Sequence, residues 1–465
     1  MSVLGRAFGN IKCATAKPRG VTGDVRRAVG FLLVGTIGLA APLLEAHAGG
    51  RLAAVGTVAP FIAVAAVALA STRGPLFEAF AYEGDRKAGR LYGLASFALA
   101  VAGLAILLVG FGLPTAAFVI AVFVFTTGNL SQDLIWRRTP RPVVATAAYA
   151  AVGTLGGIAS VVAVGTLGGA VPSPPLTVFV AASGALLGAL VRSALYVRDD
   201  SLVLLSTGLL VWFLLELETG TPGPTARRVG VGLALTVALG YVAYALGTAS
   251  ITGMLTGVLL ALFAVVLGGY GWFVLLVTFF GLGGLASKYR YEEKLERGIA
   301  QENEGARGSG NVLANSAVAL VAVVAYAYAA SGQVGVDAAL FQFAFAGAVA
   351  AALADTFSSE FGGLFDSPRL ITTFERVDPG TDGAVTPQGA VAGLAGAAII
   401  GGLGGAFFEF GPSTVALVTV AGVVGMTADS ILGATLEGTR LGNQGVNLLA
   451  TLTAGLAAAG GAVLL

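Results

Sequence analysis

Apolar runs of about twenty residues, separated by short polar segments, recur along the whole chain. A helix of that length spans the hydrocarbon core of a bilayer. Lipid offers no partner to free backbone groups, so such runs are helical, and they lack the residue-by-residue alternation of a membrane barrel. The pattern predicts an all-α, polytopic integral membrane helical bundle of about fifteen transmembrane helices. The spans are roughly 28–46, 52–70, 91–109, 112–128, 144–168, 175–196, 201–216, 229–247, 250–268, 271–286, 312–331, 337–354, 387–407, 412–427 and 446–464. The residues before the first run are polar and basic, without signal-peptide architecture.

Composition agrees with this class. The chain is 56% hydrophobic and 11% charged, with a mean hydropathy of +0.87, against about 25% charged residues in soluble proteins. The 69 glycines suit close approach of transmembrane helices. A single cysteine (Cys13) and a single histidine (His47) exclude a disulfide framework and a conventional Cys/His metal site. A net charge of +1 gives no reason to expect a nucleic-acid partner.

Charge distribution predicts orientation. With the N-terminus in the cytoplasm and the spans alternating, 23 of the 26 Lys and Arg residues fall inside; Arg51, Arg227 and Arg228 fall outside. This is a strong positive-inside asymmetry, expected for a multi-pass protein of the cell membrane, with the C-terminus outside. The Pro/Gly/Thr-rich link LETGTPGPTARR divides an N-terminal membrane domain, 1–217, from a C-terminal domain, 228–465.

Three polar islands stand out in the C-terminal domain, all on the predicted cytoplasmic side. The first, Ser287 to Asn315, carries five basic and five acidic residues. It reads as an amphipathic helix from about Ala286 to Gln301, with Glu293 and Arg297 paired at i, i+4. A turn containing Glu304 and Arg307 follows, then the next span. Glycines there let the backbone approach a ligand; Asn311 can cap the following helix, whose N-terminus suits an anion. Asn315, one turn on, falls inside the membrane, where capping does not explain it.

The second island opens with ADTFSSE. Asp355 ends a span, with Ser359 on the same helical face and Glu360 beyond. Acidic residues at such depth are expensive and functional by default, and carboxylate and hydroxyl oxygens suit Mg²⁺. Arg376 with Thr372 and Thr373 can hold phosphate oxygens, and Gly380 and Gly383 belong to the turn DPGTDG. No Walker loop and no EF-hand occur. The third island repeats the theme, with Asp429 in ADS at a span end, followed by Gly433, Glu437, Asn443 and Asn447.

These chemistries converge on a metal–phosphate site at the membrane surface. Asp355 and Asp429, assisted by Glu360 or Glu304, are expected to hold Mg²⁺. Lys288, Arg307 and Arg376, with Asn311, neutralise or position phosphate, and Asn315, Ser359, Thr372, Thr373, Gly380 and Gly383 contact substrate.

The three motifs in order (KYxYEEK with AxENEGxRGxxNVLAN, ADTFSSExG with SPRLITTF and PGTDG, and ADSxLGATxE) resemble the family known as domain of unknown function 92. That family includes transmembrane protein 19 and the plant phytyl-phosphate kinase. The resemblance covers about Arg228 to Leu465. It implies phosphorylation of a prenyl monophosphate to the diphosphate by a nucleoside triphosphate, CTP or ATP, with a polyisoprenoid lipid phosphate held in the bilayer. More distantly, GRLYGL at Gly89–Leu94 and the Asp133-bearing loop Gly128–Arg141 resemble the dolichol and phytol kinases. There Thr139-Pro140-Arg141-Pro142 stands where a Lys-Ser/Thr pair is expected, so the resemblance implies a degenerate half serving structure or lipid binding. The alternative from another class is a transporter or scramblase of a phosphorylated isoprenoid, which requires polar sites near the bilayer midplane.

Overall fold

A computed structural model describes residues 25–47, 50–195, 199–217, 223–247, 249–300, 308–438 and 440–465. In chain order the helices are α1 (Val25–Thr36), α2 (Ala41–His47), α3 (Gly50–Ala70), α4 (Pro75–Phe80), α5 (Glu83–Ala88), α6 (Tyr92–Phe111), α7 (Thr115–Arg138), α8 (Pro142–Thr166), α9 (Pro174–Ala194) and α10 (Asp200–Glu216). They continue with α11 (Ala226–Leu246), α12 (Ile251–Phe263), α13 (Tyr270–Lys288), α14 (Tyr291–Glu296), α15 (Ser309–Ala330), α16 (Ala339–Gly362), α17 (Pro387–Phe407), α18 (Pro412–Leu436) and α19 (Asn443–Leu464). Two two-residue strands, β1 (Arg369–Leu370) and β2 (Ala384–Val385), pair antiparallel between α16 and α17.

Among the described residues, fourteen helical segments are long and apolar enough to cross a membrane. The expected fifteenth, at 201–216, forms as α10, but its 17 residues fall below that length. At 1.5 Å per residue it reaches about 25 Å, at the short end of the range of about 17–25 residues that can span a bilayer.

The chain forms two compact units, Met1–Val171 with Val191–Leu209, and Pro172–Leu190 with Leu210–Leu465. In the first unit, several charged groups are buried among polar and aromatic partners. Asp200 is 4% exposed; it accepts from Tyr82 Oη at 2.7 Å and from Arg192 Nη1 at 3.0 Å, and Arg192 Nε donates to Gln132 at 2.5 Å. The buried Arg27 guanidinium stacks on the Tyr82 ring, 3.8 Å from its centroid. Asp85 accepts from the Tyr82 and Gly93 amides, closing the first turn of α5.

The second unit is held together by small residues. Its helices approach so closely at glycines that side chains would collide. A Cβ on Gly425 would stand 2.5 Å from the Ala351 methyl, one on Gly422 2.8 Å from Ala350, and one on Gly396 3.0 Å from the Leu353 carbonyl oxygen. A Cβ on Gly347 would stand 2.6 Å from the Ala454 carbonyl oxygen. Helix α16 is therefore wrapped by α17, α18 and α19 at backbone distance. Toward the start of α16 the core turns aromatic, where Trp272 packs on Tyr326, Phe345 and Phe408 with centroids 4.8, 4.5 and 5.6 Å away. The other end of α16 opens into a cavity.

The expected amphipathic helix over Ala286–Gln301 is broken. α13 ends at Lys288, Arg290 adopts a left-handed conformation (φ 50), and only Tyr291–Glu296 is helical beyond it. The break folds α14 back so that Lys294 reaches inward. Glu293 still pairs with Arg297, at 3.5 Å.

Candidate functional site

The cavity encloses about 1210 Å³ at the end of the second unit where α15 and α19 begin and α16 and α18 finish. Hydropathy placed Asp355 and Asp429 at span ends, but α16 and α18 run on past them to Gly362 and Leu436. Each aspartate thus lies seven residues inside its helix, about 10 Å from the end. A carboxylate can occur within a membrane helix where it faces a cavity instead of lipid.

The two acids meet. The Asp355 and Asp429 carboxyls lie within hydrogen-bonding reach of each other, and Asp429 Oδ1 is buried with no hydrogen-bond partner among the described residues. Two carboxyls this close share a proton or a cation, since two bare carboxylates in contact repel. Ser359 and Ser430 donate their hydroxyl protons to their own helices, to Thr356 and Met426 carbonyl oxygens, leaving lone pairs to face the cavity.

Opposite the acids stand two helix starts. α15 follows Gly308 and α19 follows Gly442; neither first turn has a side-chain cap, and both turns line the cavity. A Cβ on Gly310 would collide with the Gln444 side chain, so the two starts adjoin. Paired N-termini place several amide N–H groups and two positive dipole ends at one location, an arrangement suited to phosphate. The amide ladders repeat as well: Asn315 Nδ2 donates to the Asn311 carbonyl at 3.0 Å, and Asn447 Nδ2 donates to Asn443 Oδ1 at 3.0 Å. Asn311 lies inside the first turn and does not cap it.

The DPGTDG loop closes the cavity over α18. Gly383, at φ 74, presses on Ser430 and Ala434, and a Cβ there would stand 2.5 Å from the Ser430 carbonyl oxygen. Gly383→Ala is expected to cost about 2–4 kcal/mol from left-handed strain plus overpacking. Thermal melting of the purified variant checks this, and a melt equal to wild type would mean that the loop is not seated on α18. Just past the end of α18, burial and the neighbouring Asp382 carboxylate push Glu437 above the usual glutamate range, against a hydrogen bond to Asn443 that lowers it.

Of the residues expected from the sequence, Asn311, Asn315, Asp355, Ser359, Gly380, Gly383 and Asp429 line this one cavity. Others do not. Lys288 donates to the Leu246 carbonyl oxygen at 2.6 Å, tying down the C-terminal end of α11. Glu360 does not line the cavity: it is buried in an ion pair with Lys294, whose Nζ lies 2.6 Å from Oε2 and 2.8 Å from the Ala286 carbonyl oxygen. Thr372, Thr373 and Arg376 lie exposed on the hairpin that leaves β1, turned by Phe374 at φ 59, and do not line the cavity. Glu304 and Arg307 lie outside the described residues.

Gln444, Asp382 and Phe365 also line the cavity, though the sequence did not single them out. The Asn443–Asn447 spacing, equal to Asn311–Asn315, was the available signal for the α19 start.

Among the described residues no Lys or Arg lines the cavity, and no group of three or more His, Cys, Asp and Glu has metal-holding geometry. The donors nonetheless fit Mg²⁺, which commonly takes one or two carboxylates and completes its shell with water and substrate phosphates. Asp355, Asp429 and the unpartnered Oδ1 supply that set.

The family model for integral membrane protein DUF92 matches residues 234–455. An uncharacterized membrane protein of Methanocaldococcus jannaschii is 39% identical over 195 residues, covering 40% of this chain and 75% of that protein. The chain belongs to the DUF92 membrane family. Two Arabidopsis thaliana proteins are also similar. Protein VTE6, chloroplastic, is 29% identical over 36% of this chain and 50% of its own length, and Protein PGR is 33% identical over 36% and 65%. This chain thus spans about half of the first Arabidopsis protein. No solved structure matches. The matched family region contains every described residue placed at the cavity, from Gly298 to Asn447.

Proposed function

We propose that the second unit is a membrane phosphotransferase, moving a phosphoryl group from a nucleoside triphosphate, ATP or CTP, to a prenyl monophosphate. The observation that carries this reading is the Asp355–Asp429 contact, with its unpartnered oxygen, facing two adjoining uncapped helix N-termini. Carboxylates that bind a cation and amides that bind anions are the two requirements of phosphoryl transfer, which depends on positioning and charge stabilisation more than on a nucleophilic side chain. The family resemblance, which includes a phytyl-phosphate kinase, supports the same chemistry.

In this reading Asp355 and Asp429 would hold Mg²⁺, which would supply positive charge to offset that of the phosphates. The first turns of α15 and α19 hold the phosphoryl groups by their amides, and Asn311, Asn315, Asn443 and Asn447 orient them. A phosphate oxygen of the acceptor forms the new P–O bond to the γ-phosphorus. The bond from the γ-phosphorus to the β–γ bridging oxygen breaks, and the nucleoside diphosphate leaves with that electron pair. The acceptor is already anionic, so no base is required. Most of the cavity lining comes from the ends of α16 and α18, the starts of α15 and α19 and the loops beside them, which favours surface chemistry over transport; Asp355 and Asp429 themselves lie deeper, closer to their helix midpoints than to the ends. A cytoplasmic location of that end is part of the proposal; it counts α10 as a fifteenth crossing, the arrangement that the distribution of Lys and Arg favours.

The test is incubation of the purified protein with Mg²⁺, a panel of nucleoside triphosphates, and geranylgeranyl or phytyl monophosphate, read by mass spectrometry. The expected product is the prenyl diphosphate. A well-folded sample giving no product with any donor would overturn the reading, and flux of the lipid phosphate in liposomes would then test transport.

A further inference from the structure

The cavity has two unlike sides. Its helix-borne side carries carboxylates, hydroxyls and amides. Part of its loop-borne side is apolar, made by Ile299, Phe365, Pro368 and Pro379 from the segments that follow α14 and α16, with Thr381 and Asp382 beside it on the same loops. These segments are packed into one wall, since a Cβ on Gly363 would stand 2.8 Å from Ile299 Cδ1 and one on Gly380 3.1 Å from Ile299 Cγ2. Ile299 is therefore seated between the loops after α16 and before β2.

Phe365 is the one aromatic ring among the described residues lining the cavity, and 44% of it is exposed. Its backbone is held in place: Phe365 N donates to the Gly362 carbonyl oxygen at 3.1 Å, Asp366 pairs with Arg297 at 3.0 Å, and Pro368 follows Ser367 at φ 60. An exposed ring on a fixed backbone offers a flat apolar surface at little ordering cost.

Two parts of the substrates are apolar, the isoprenoid tail and the nucleobase. The tail must pass toward lipid, along the helices. The Phe365 wall belongs to the loop layer beyond the helix ends at Gly362 and Leu436. We infer that this wall is the nucleoside subsite, with the donor's base stacked on Phe365 and its phosphates directed toward the α15 and α19 N-termini. The inference rests on the phosphotransferase reading and adds a donor-specificity element to it.

The test is equilibrium binding to the full-length purified chain in Mg²⁺, using ATP, CTP, inorganic tripolyphosphate and geranylgeranyl monophosphate as probes. Phe365→Ala is expected to weaken ATP and CTP about tenfold, while tripolyphosphate and geranylgeranyl monophosphate bind as to wild type. Phe365→Trp is expected to retain nucleotide affinity. Three results would each overturn the inference: unchanged nucleotide binding, a loss confined to geranylgeranyl monophosphate, or an equal loss for all four probes. A wild-type protein that binds geranylgeranyl monophosphate but neither nucleotide nor tripolyphosphate would overturn the phosphotransferase reading itself. Nucleotide bound equally by wild type and Phe365→Ala would sink the subsite alone.

Discussion

Asp355→Asn and Asp429→Asn should each lower Mg²⁺-dependent phosphoryl transfer by about 10²–10³-fold or more without destabilising the protein. The two carboxyls lie within hydrogen-bonding reach of each other, and an Asn amide can donate to the remaining carboxylate in place of the proton they would share, so the melting temperature is expected to hold. Loss of activity with retained stability is the signature of groups kept together for a ligand. Ordinary structural aspartates behave in the opposite way, because removing them leaves partners unsatisfied. Turnover assayed across a Mg²⁺ titration, with melting measured on the same samples, checks both halves. Full activity in both variants would remove the cation-binding role, and a lower melting temperature in both would make the pair structural.

The second large effect is one of stability, at Lys294. Its ammonium is 1% exposed and its partner Glu360 is 5% exposed. Lys294→Met leaves the Glu360 carboxylate buried without its counter-charge, a change expected to cost about 3–5 kcal/mol, or roughly 10 °C in melting temperature for a unit of this size. The double variant Lys294→Met/Glu360→Met should melt well above the single one, because well-packed apolar groups replace a buried ion pair at little or no cost. The pair fastens α14 to the last turn of α16. Through Ile299, just beyond α14, it therefore also supports the apolar wall of the cavity. A single variant that melts like wild type would mean that the pair is solvated and carries no such load.

The same residue shows where reading the chain in one dimension succeeds and fails. Glu360, five positions from Asp355 in a polar island, looks like a third oxygen ligand. Its actual partner is 66 residues away, on a helix whose inward turn depends on the left-handed Arg290. Lys288 and Arg376 fail similarly: nearness in sequence to acidic motifs suggested phosphate neutralisation, but one binds the end of α11 and the other stands on an exposed hairpin. Asp355 and Asp429 were legible because a carboxylate within an apolar helix has few roles open to it. Their depth was not, since hydropathy ends a span at the first charge, whereas the helix continues wherever its backbone is satisfied and the charge faces a cavity.

Composition and run length by themselves determined that this is a polytopic helical membrane protein, because lipid forces every backbone group into internal hydrogen bonds whatever the packing. The motifs likewise marked the segments that supply the polar lining of the cavity, since charge is costly in this environment. Only the tertiary structure decided which polar residues share the cavity. That choice depends on how closely α16, α18 and α19 approach through Gly347, Gly422 and Gly425, and on which way each loop turns. Both are properties of contacts between distant residues that no local pattern contains.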